Sequence, residues 1–372
     1  MTSPDIITAI ESKVQKAHTQ SLDISLNEML DMKKNGELNI TPDYQRLFRW
    51  SEGARSRFIE SLLLEMPVPP IYVVEEDDGK YVLIDGLQRI SSYLHFRGEL
   101  EASHLDPPVK LGDFLVLSDC DIVPELNGLK FTELPTALQI RLKRSFIRVE
   151  VVRKGSDPKF KYHMFKRLNT GGVLLTDQQM RNCTIRLLDP QFNDFIIDLA
   201  ENNEDYKLTT QPLTTDQYFS SFNHELVLRY FALKNNKSEF VHDVSDFLTD
   251  YMEKVTTGEL GFDYETNKKV FEKTFKVLAS AVGSKAFGYA NKNRDKVTNS
   301  VGVYQFEAFA IGILPLLDNL DPNDQGQMKA LGEKIIEIKL SNDFISLITG
   351  GGKNSKGPLN NRIEYVESHL VL

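Results

Sequence analysis

The sequence has few of the residues that mark secreted, zinc-binding or membrane proteins. Among its 372 residues there are two cysteines, Cys120 and Cys183, far apart in the chain. Two cysteines cannot build a disulfide framework or a cysteine zinc cluster, and they suit a reducing compartment. Apolar runs such as residues 309–317 fall far short of the roughly 20 residues that a membrane helix needs. Because the first residues show no apolar signal core, we expect a cytoplasmic protein with no membrane partner.

Basic residues are also fewer than acidic ones, which gives a formal net charge of -9. This balance argues against a protein that coats nucleic acid without specificity, because phosphate contacts need a basic surface. Two local basic groups remain. One is residues 141–144, for which a solvated helix face is at least as good an explanation, and the other is Arg46, Arg49, Arg55 and Arg57.

The N-terminal part mixes helix and strand patterns. An Asp-Gly pair between two short apolar runs predicts a β-hairpin, and alternation predicts a later half-buried strand. The predicted helices cover residues 4–20, 26–33, 52–65 and a segment that follows Gly86 and ends at Gly98; the predicted strands cover residues 71–74, 81–84 and 146–152.

From about residue 157 onward, helical patterns recur and strand patterns are almost absent. The sequence therefore predicts an α+β domain over residues 1–155 and an all-helical domain over residues 156–372, with a soft boundary. The length of the chain also favours about two domains.

The segment DGLQR, residues 85–89, stands where a predicted strand meets a predicted helix, and we call it the box. The N–H groups of a helix's first turn attract anions. Gly86 lets a ligand approach the backbone, and Arg89 offers donors suited to phosphate. Asp85 could bind Mg²⁺ or act on a water. The structural alternative, which the spacing alone allows equally, is that Asp85 caps the helix and Arg89 pairs with a surface carboxylate.

Aromatic and basic residues alternate in residues 44–50, YQRLFRW. Tyr44 and Arg46 are candidates to hold a nucleobase and its phosphates by stacking and bidentate pairing. The alternative is an edge strand with a half-buried aromatic face. Trp50, the single tryptophan, suits a packing role better than a ligand role.

A third candidate segment is FKRLNTGG, residues 165–172. Arg167 and Asn169 could reach a ligand there, and Gly171 frees the backbone of the loop. Alternatively, the glycines only relieve strain in a helix–turn–helix joint. Thr176 and Gln179 have the spacing of a capping box for the next helix.

Other patterns are weaker or negative. Glu225 and Arg229 predict an i,i+4 pair on a helix, most simply with a structural role. The glycine-rich segment at residues 350–354 is not a Walker A loop, and no strand–GxGxxG–helix unit exists. The seven histidines lack zinc-ligand spacing; His95 could approach the box, although a lone histidine is more often structural.

Taken together, these segments resemble the N-terminal family of GmrSD-type restriction enzymes, also called domain of unknown function 262. The resemblance runs over about residues 22–235 and rests on ordered matches to family motifs. The matching segments are ITPDYQRLFRW at 40–50, FIESLLLEMPVPPIY at 58–72, IDGLQR at 84–89, FKRLNTGG at 165–172 and ELVLR at 225–229.

This resemblance implies a fold like that of ParB and sulfiredoxin, with the box handling a nucleoside triphosphate and Mg²⁺ or another divalent metal. It also implies a role in restriction of modified or foreign DNA. The residues that carry over to catalytic or nucleotide-binding roles are Arg46, Asp85, Gly86, Gln88, Arg89, Asn169 and Gly171. The sequence departs from the family at Leu87, where glutamine is usual, and it shows no His-Asn-His nuclease pattern after residue 235.

Three functions follow as expectations. The first is a module that binds or hydrolyses nucleoside triphosphates and regulates a nuclease or other effector on a separate chain. The second is a ParB-like protein that binds or cleaves DNA directly, against which the charge of -9 counts. The third is a non-enzymatic scaffold with a degenerate nucleotide site.

Overall fold

A computed structural model gives the structure of the chain. It describes residues 6–7, 18–40, 48, 50–76, 78–103, 105, 107–157, 164, 167, 176–241 and 243–371. The chain divides into two compact units, Met1–Leu174 and Leu175–Leu372. The predicted boundary at residues 155 and 156 falls within the first of these units, beside residues outside the described part, and stays a prediction.

The first unit contains a mixed five-stranded sheet with the strand order β1-β5-β3-β4-β2. Strands β3 and β4 form the predicted antiparallel hairpin, while β5 runs antiparallel to β1 and parallel to β3. Strand β5 carries the buried aliphatic residues that the alternation indicated, and β3 is buried along most of its length, as its apolar run predicted. The strands are β1 (Thr19–Ser25), β2 (Leu38–Asn39), β3 (Ile71–Glu75), β4 (Tyr81–Asp85) and β5 (Phe146–Val152).

Three of the four described helices of this unit begin at a serine cap or a proline. Ser25 and Ser51 cap the first two by accepting hydrogen bonds from the N–H groups of Glu28 and Ala54. Pro135 precedes the fourth, as expected for a residue that has no N–H to leave unpaired. The helices are α1 (Leu26–Lys34), α2 (Glu52–Leu63), α3 (Leu87–Phe96) and α4 (Thr136–Arg144).

The prediction of one helix over residues 4–20 is wrong at its end. Thr19 and Gln20 begin strand β1 and pair with Val152 and Val151. Strand β1 is polar at this end, where Thr19 and Gln20 are exposed, and its hydrogen bonds come from a strand distant in the chain. Residues 8–17 of that prediction lie outside the described residues.

The second unit is helical and is built around a large apolar core rich in aromatic rings. Helices α9 and α12 lie inside this core, since residues such as Tyr230, Phe231 and Phe309 are fully buried. The helices are α5 (Asp177–Thr184), α6 (Gln191–Asn202), α7 (Glu204–Thr210), α8 (Thr215–Phe219), α9 (Phe222–Asn236), α10 (Val244–Thr256), α11 (Tyr264–Val282), α12 (Val303–Gly312), α13 (Gln325–Leu340), α14 (Asn342–Ile348) and α15 (Lys356–His369).

The predicted fold class is confirmed. A small mixed sheet with helices forms the N-terminal part, and a helical region follows it. In the part of the chain that the structure describes, no helix is both long and apolar enough to cross a membrane.

Candidate functional site

The box occupies the junction between strand β4 and helix α3. Asp85 is the last residue of β4, and Gly86 is the N-cap of α3 with φ of 109°, in the left-handed region. A Cβ at this position would lie 2.7 Å from Cγ1 of Ile71, so both the backbone conformation and the packing require glycine. The structure of the junction thus requires glycine at position 86, independently of any ligand.

The two charged residues of the box bind each other. Nη2 of Arg89 donates to Oδ2 of Asp85 at 2.7 Å and to the carbonyl of Pro70 at 3.0 Å. The side chain of Arg89 is 14% exposed and that of Asp85 is 34% exposed. Nε of Arg89 is buried without a hydrogen-bond partner among the described residues. Asp85 therefore does not cap the helix, and the carboxylate beside Arg89 is that of the box itself.

Gln88 connects the box to the preceding aromatic segment. Its Oε1 accepts a hydrogen bond from the N–H of Trp50 at 3.1 Å, across 38 positions of sequence. Its own carbonyl accepts from Oγ of Ser92. This geometry gives Gln88 a positioning role. Leu87, the position that departs from the family motif, is 6% exposed and belongs to the core.

Arg55 of helix α2 holds the other polar group of the same peptide. Its Nε donates to the carbonyl of Trp50 at 2.7 Å, and its guanidinium lies 4.5 Å from the centroid of the Phe48 ring. Its Nη1 lies 3.1 Å from Nδ1 of His95 on helix α3. Sequence reasoning missed this cluster, because Arg55 was grouped with exposed basic residues and the partners are far apart in sequence.

Burial shapes the ionisation of this cluster. Arg55 is 6% exposed and His95 is 5% exposed. Burial lowers the pKa of Arg55 from its ordinary value, partly offset by Glu52. Burial, and then the charge of Arg55, lower the pKa of His95 to about 4. His95 is thus a neutral structural residue at physiological pH, as the alternative interpretation of a lone histidine held.

The basic group proposed for nucleic acid does not form one exposed set. Arg55 is buried and engaged, whereas Arg57 lies on the exposed face of α2. Arg46 and Arg49 lie outside the described residues. The loss of Arg55 from the exposed group weakens the argument for direct DNA binding through this face.

The remaining predicted ligand residues lie largely outside the described part. Tyr44, Arg46, Asn169 and Gly171 are not described, and Arg167 is described as an exposed residue. Their roles at the box stay predictions. The capping box predicted downstream is confirmed: Thr176 accepts from the N–H of Gln179, and the Gln179 side chain accepts from the N–H of Thr176.

The predicted pair of Glu225 and Arg229 is confirmed and is part of a larger buried network. Nη2 of Arg229 lies 2.8 Å from Oε1 of Glu225, and Nη1 lies 2.5 Å from Oε1 of Glu307. Arg181 binds the other oxygen of Glu225, and Arg362 binds the other oxygen of Glu307. The network joins helices α5, α9, α12 and α15, which supports the structural role expected for this pair.

A metal ion would find few ligands at the box. Within the described ranges, no group of three or more histidine, cysteine, aspartate or glutamate residues is arranged to hold an ion. Asp85 supplies one carboxylate, which suits Mg²⁺ only when substrate phosphates provide other ligands. The donor set therefore fits a metal that arrives with a nucleotide and does not fit a resident metal centre.

Comparison with known proteins finds a family that this part of the chain resembles. Residues 26–186 match the family model of the GmrSD restriction endonuclease, N-terminal domain. The match begins at the first residue of α1 and extends past α5, so it includes the box but not Glu225 or Arg229. No curated protein and no solved structure matches the chain. Residues 26–186 are therefore similar to the GmrSD-type N-terminal domain.

Proposed function

We propose that the first unit binds a nucleoside triphosphate at the box and thereby regulates a DNA-targeting effector of a restriction system. The observation that carries this proposal is the junction itself. Helix α3 starts at a left-handed Gly86, and no described side chain caps its N terminus. Arg89 and Asp85 flank that N terminus, so a positive helix end, a guanidinium and a carboxylate lie together.

The phosphates would replace existing contacts. Arg89 now shares Nη2 between Asp85 and Pro70, while its Nε has no partner in the described part of the chain. A phosphate oxygen would be a stronger acceptor than a carbonyl and would suit the guanidinium fork. Asp85, released from Arg89, would then be available for a divalent metal bound to the phosphates or for the attacking water.

Gln88 has a different role in this proposal. Because its side chain holds the N–H of Trp50, it links the box to the segment that contains Tyr44 and Arg46, the proposed base-binding residues. A change at Gln88 should therefore disturb the affinity for the base as well as any turnover. Hydrolysis is the finer part of the proposal, since Leu87 is buried and supplies no polar group at the box.

The test is calorimetric binding of each nucleoside triphosphate, with Mg²⁺, to the full chain. Arg89→Ala should weaken binding by about 1.5–3 kcal/mol, the range for a hydrogen bond to a charged group. Arg89→Lys keeps the charge but not the fork, and it should fall between the two. Arg57→Ala, which removes the same charge from the exposed face of α2, is the matched control and should bind as the wild type does.

Asp85→Asn separates the two tasks of the carboxylate. Without metal, it should strengthen binding of the triphosphate, because Arg89 loses its competing anionic partner. With Mg²⁺, it should weaken binding and abolish any hydrolysis. Failure of the wild-type chain to bind any nucleoside triphosphate would refute the proposal and leave a scaffold with a degenerate site as the better account.

A further inference from the structure

A second candidate binding site lies in the first unit and includes no residue of the box. It is a groove of about 730 Å³ between the end of α2, the end of α4 and the start of β5, with Asp23 of β1 at one side. This volume is within the usual range of ligand-binding clefts. We call it the α2–β5 groove.

The centre of the groove is apolar and partly open to solvent. Met66 is 44% exposed and Phe146 is 66% exposed, although both side chains line the same concave surface. Leu62 and Ile147 beneath them are buried. Large apolar side chains at a concave surface are the usual anchor points of protein interfaces.

The rim of the groove is charged and has an excess of arginine. Three arginines face two carboxylates there, Asp23 and Glu65. Arg148 binds Asp23 through two hydrogen bonds of 3.1 and 3.2 Å. Arg141 lies 3.7 Å from Glu65, but both side chains are more than half exposed, so this pair is weak. Arg144 is exposed and has no ion pair among the described residues, which leaves the rim one positive charge in excess.

The backbone at the groove is strained at Glu65, which has φ of 56°. It follows helix α2 at the position where glycine is usual, and the N–H of Met66 closes the turn on the carbonyl of Ser61 at 2.9 Å. A non-glycine residue in this conformation is costly and is often found where function requires it. Here the turn sets Met66 at the groove and a carboxylate opposite Arg141.

We propose that the α2–β5 groove binds a short peptide segment of another protein, one that carries a large apolar side chain next to acidic residues. The apolar side chain would cover Met66 and Phe146, and an acidic residue would pair with Arg144. An apolar centre inside a rim rich in arginine is the anatomy of protein interfaces. The excess positive charge of the rim favours an acidic partner, although the chain as a whole is acidic.

Selection from a displayed library of random peptides against the immobilised full chain tests the proposal. The enriched sequences should share an aromatic or large aliphatic residue beside aspartate or glutamate. A synthetic copy should bind Phe146→Glu and Arg144→Glu at least about tenfold more weakly than the wild type, which corresponds to about 1.4 kcal/mol. Its affinity for the wild type should fall as salt rises.

Matched controls come from the second unit. Val241 is 64% exposed, so Val241→Glu introduces the same charge at an equally exposed apolar residue, and Lys329→Glu reverses a charge as Arg144→Glu does. Both controls should bind the peptide as the wild type does. Thermal melting should show all four variants folded, because none of the substituted side chains is buried.

Several results would overturn the proposal. One is no enriched motif, and another is a motif whose peptide binds Phe146→Glu with unchanged affinity. Two more would assign the groove to a different occupant: self-association in sedimentation experiments that Phe146→Glu removes, or plasmid DNA binding that Arg144→Glu removes. The experiment requires no nucleotide, so its outcome is independent of the function proposed for the box.

Discussion

His95 should make the first unit sensitive to acid. Its Nδ1 must accept the hydrogen bond from Arg55, because a guanidinium can only donate. The ring is therefore neutral in the folded protein, with its proton on Nε2. Burial, followed by the charge of Arg55, lowers the pKa of His95 from 6.5 to about 4, and Asp113 opposes this shift only partly.

The sign and size of the effect follow from these two pKa values. In the unfolded chain, His95 takes up a proton as the pH falls through about 6.5, whereas the folded protein does so only near 4. Between these pKa values the unfolded state binds more protons than the folded state does, so the stability of the folded protein decreases as the pH decreases. Linkage gives a loss, relative to neutral pH, of about 2 kcal/mol at pH 5 and about 3 kcal/mol at pH 4.

The single tryptophan allows this loss to be measured in the right part of the chain. The carbonyl of Trp50 accepts a hydrogen bond from Arg55. The fluorescence of Trp50 should therefore report the opening of the cluster that contains Arg55 and His95. Urea unfolding of the wild type and of His95→Gln should be compared from pH 8 to pH 4, since glutamine can accept the bond from Arg55 but cannot titrate. The free-energy difference between the two proteins should shift by the amounts above, and a difference that does not change with pH would refute the reasoning.

Two further predictions concern the second unit, and far-UV circular dichroism of its helices measures both. Glu307→Gln should destabilise this unit by about 3–5 kcal/mol, because Arg362 loses its carboxylate partner and Arg229 keeps only Glu225. Glu337→Gln at an exposed site is the control, and a loss under about 1 kcal/mol for Glu307→Gln would show that the network is unimportant. Lys339 is fully buried, donates to Gln305 and the Gly288 carbonyl, and has a pKa lowered well below its usual 10.5 by burial. Between the folded pKa and 10.5, the unfolded chain keeps a proton on Lys339 that the folded chain has lost. The stability of the wild type should therefore rise relative to that of Lys339→Met as the pH rises toward 10.5, by at most about 1.4 kcal/mol per pH unit. Parallel curves of stability against pH for the two proteins would contradict this.

Local patterns predicted the elements whose stabilising contacts are also local. The β3–β4 hairpin, the capped helix α2 and the capping box at Thr176 each depend on residues a few positions apart. Strand β1 could not be predicted in this way. Its first residues, Thr19 and Gln20, are polar and exposed, and its partner is β5, more than 120 positions away, so local pattern does not distinguish the start of this strand from the end of a helix.

The candidate site was predictable in its location but not in its contacts. The order of sequence motifs identified residues 85–89, and the strand-to-helix junction is where periodicity placed it. The sequence could not show that Arg55 is buried, that Gln88 reaches Trp50, or that Arg89 binds Asp85. The burial of Arg55 and the bond from Trp50 to Gln88 depend on how α2 and α3 pack. The pair of Arg89 and Asp85 could not be predicted because the spacing fits equally well with Asp85 as a helix cap.

The contacts around the box indicate how the proposed ligand would affect the neighbouring helices. Both polar groups of the Trp50 peptide are held by side chains, the N–H by Gln88 of α3 and the carbonyl by Arg55 of α2. Arg89 is held by Asp85 and by the carbonyl of Pro70, which leads into β3. A phosphate that draws Arg89 from these acceptors would act on the first turn of α3, the same turn from which Gln88 reaches Trp50. The proposed ligand would therefore change the fit between α2 and α3 without contacting either helix core, and the acid-sensitive pair of Arg55 and His95 joins the same two helices.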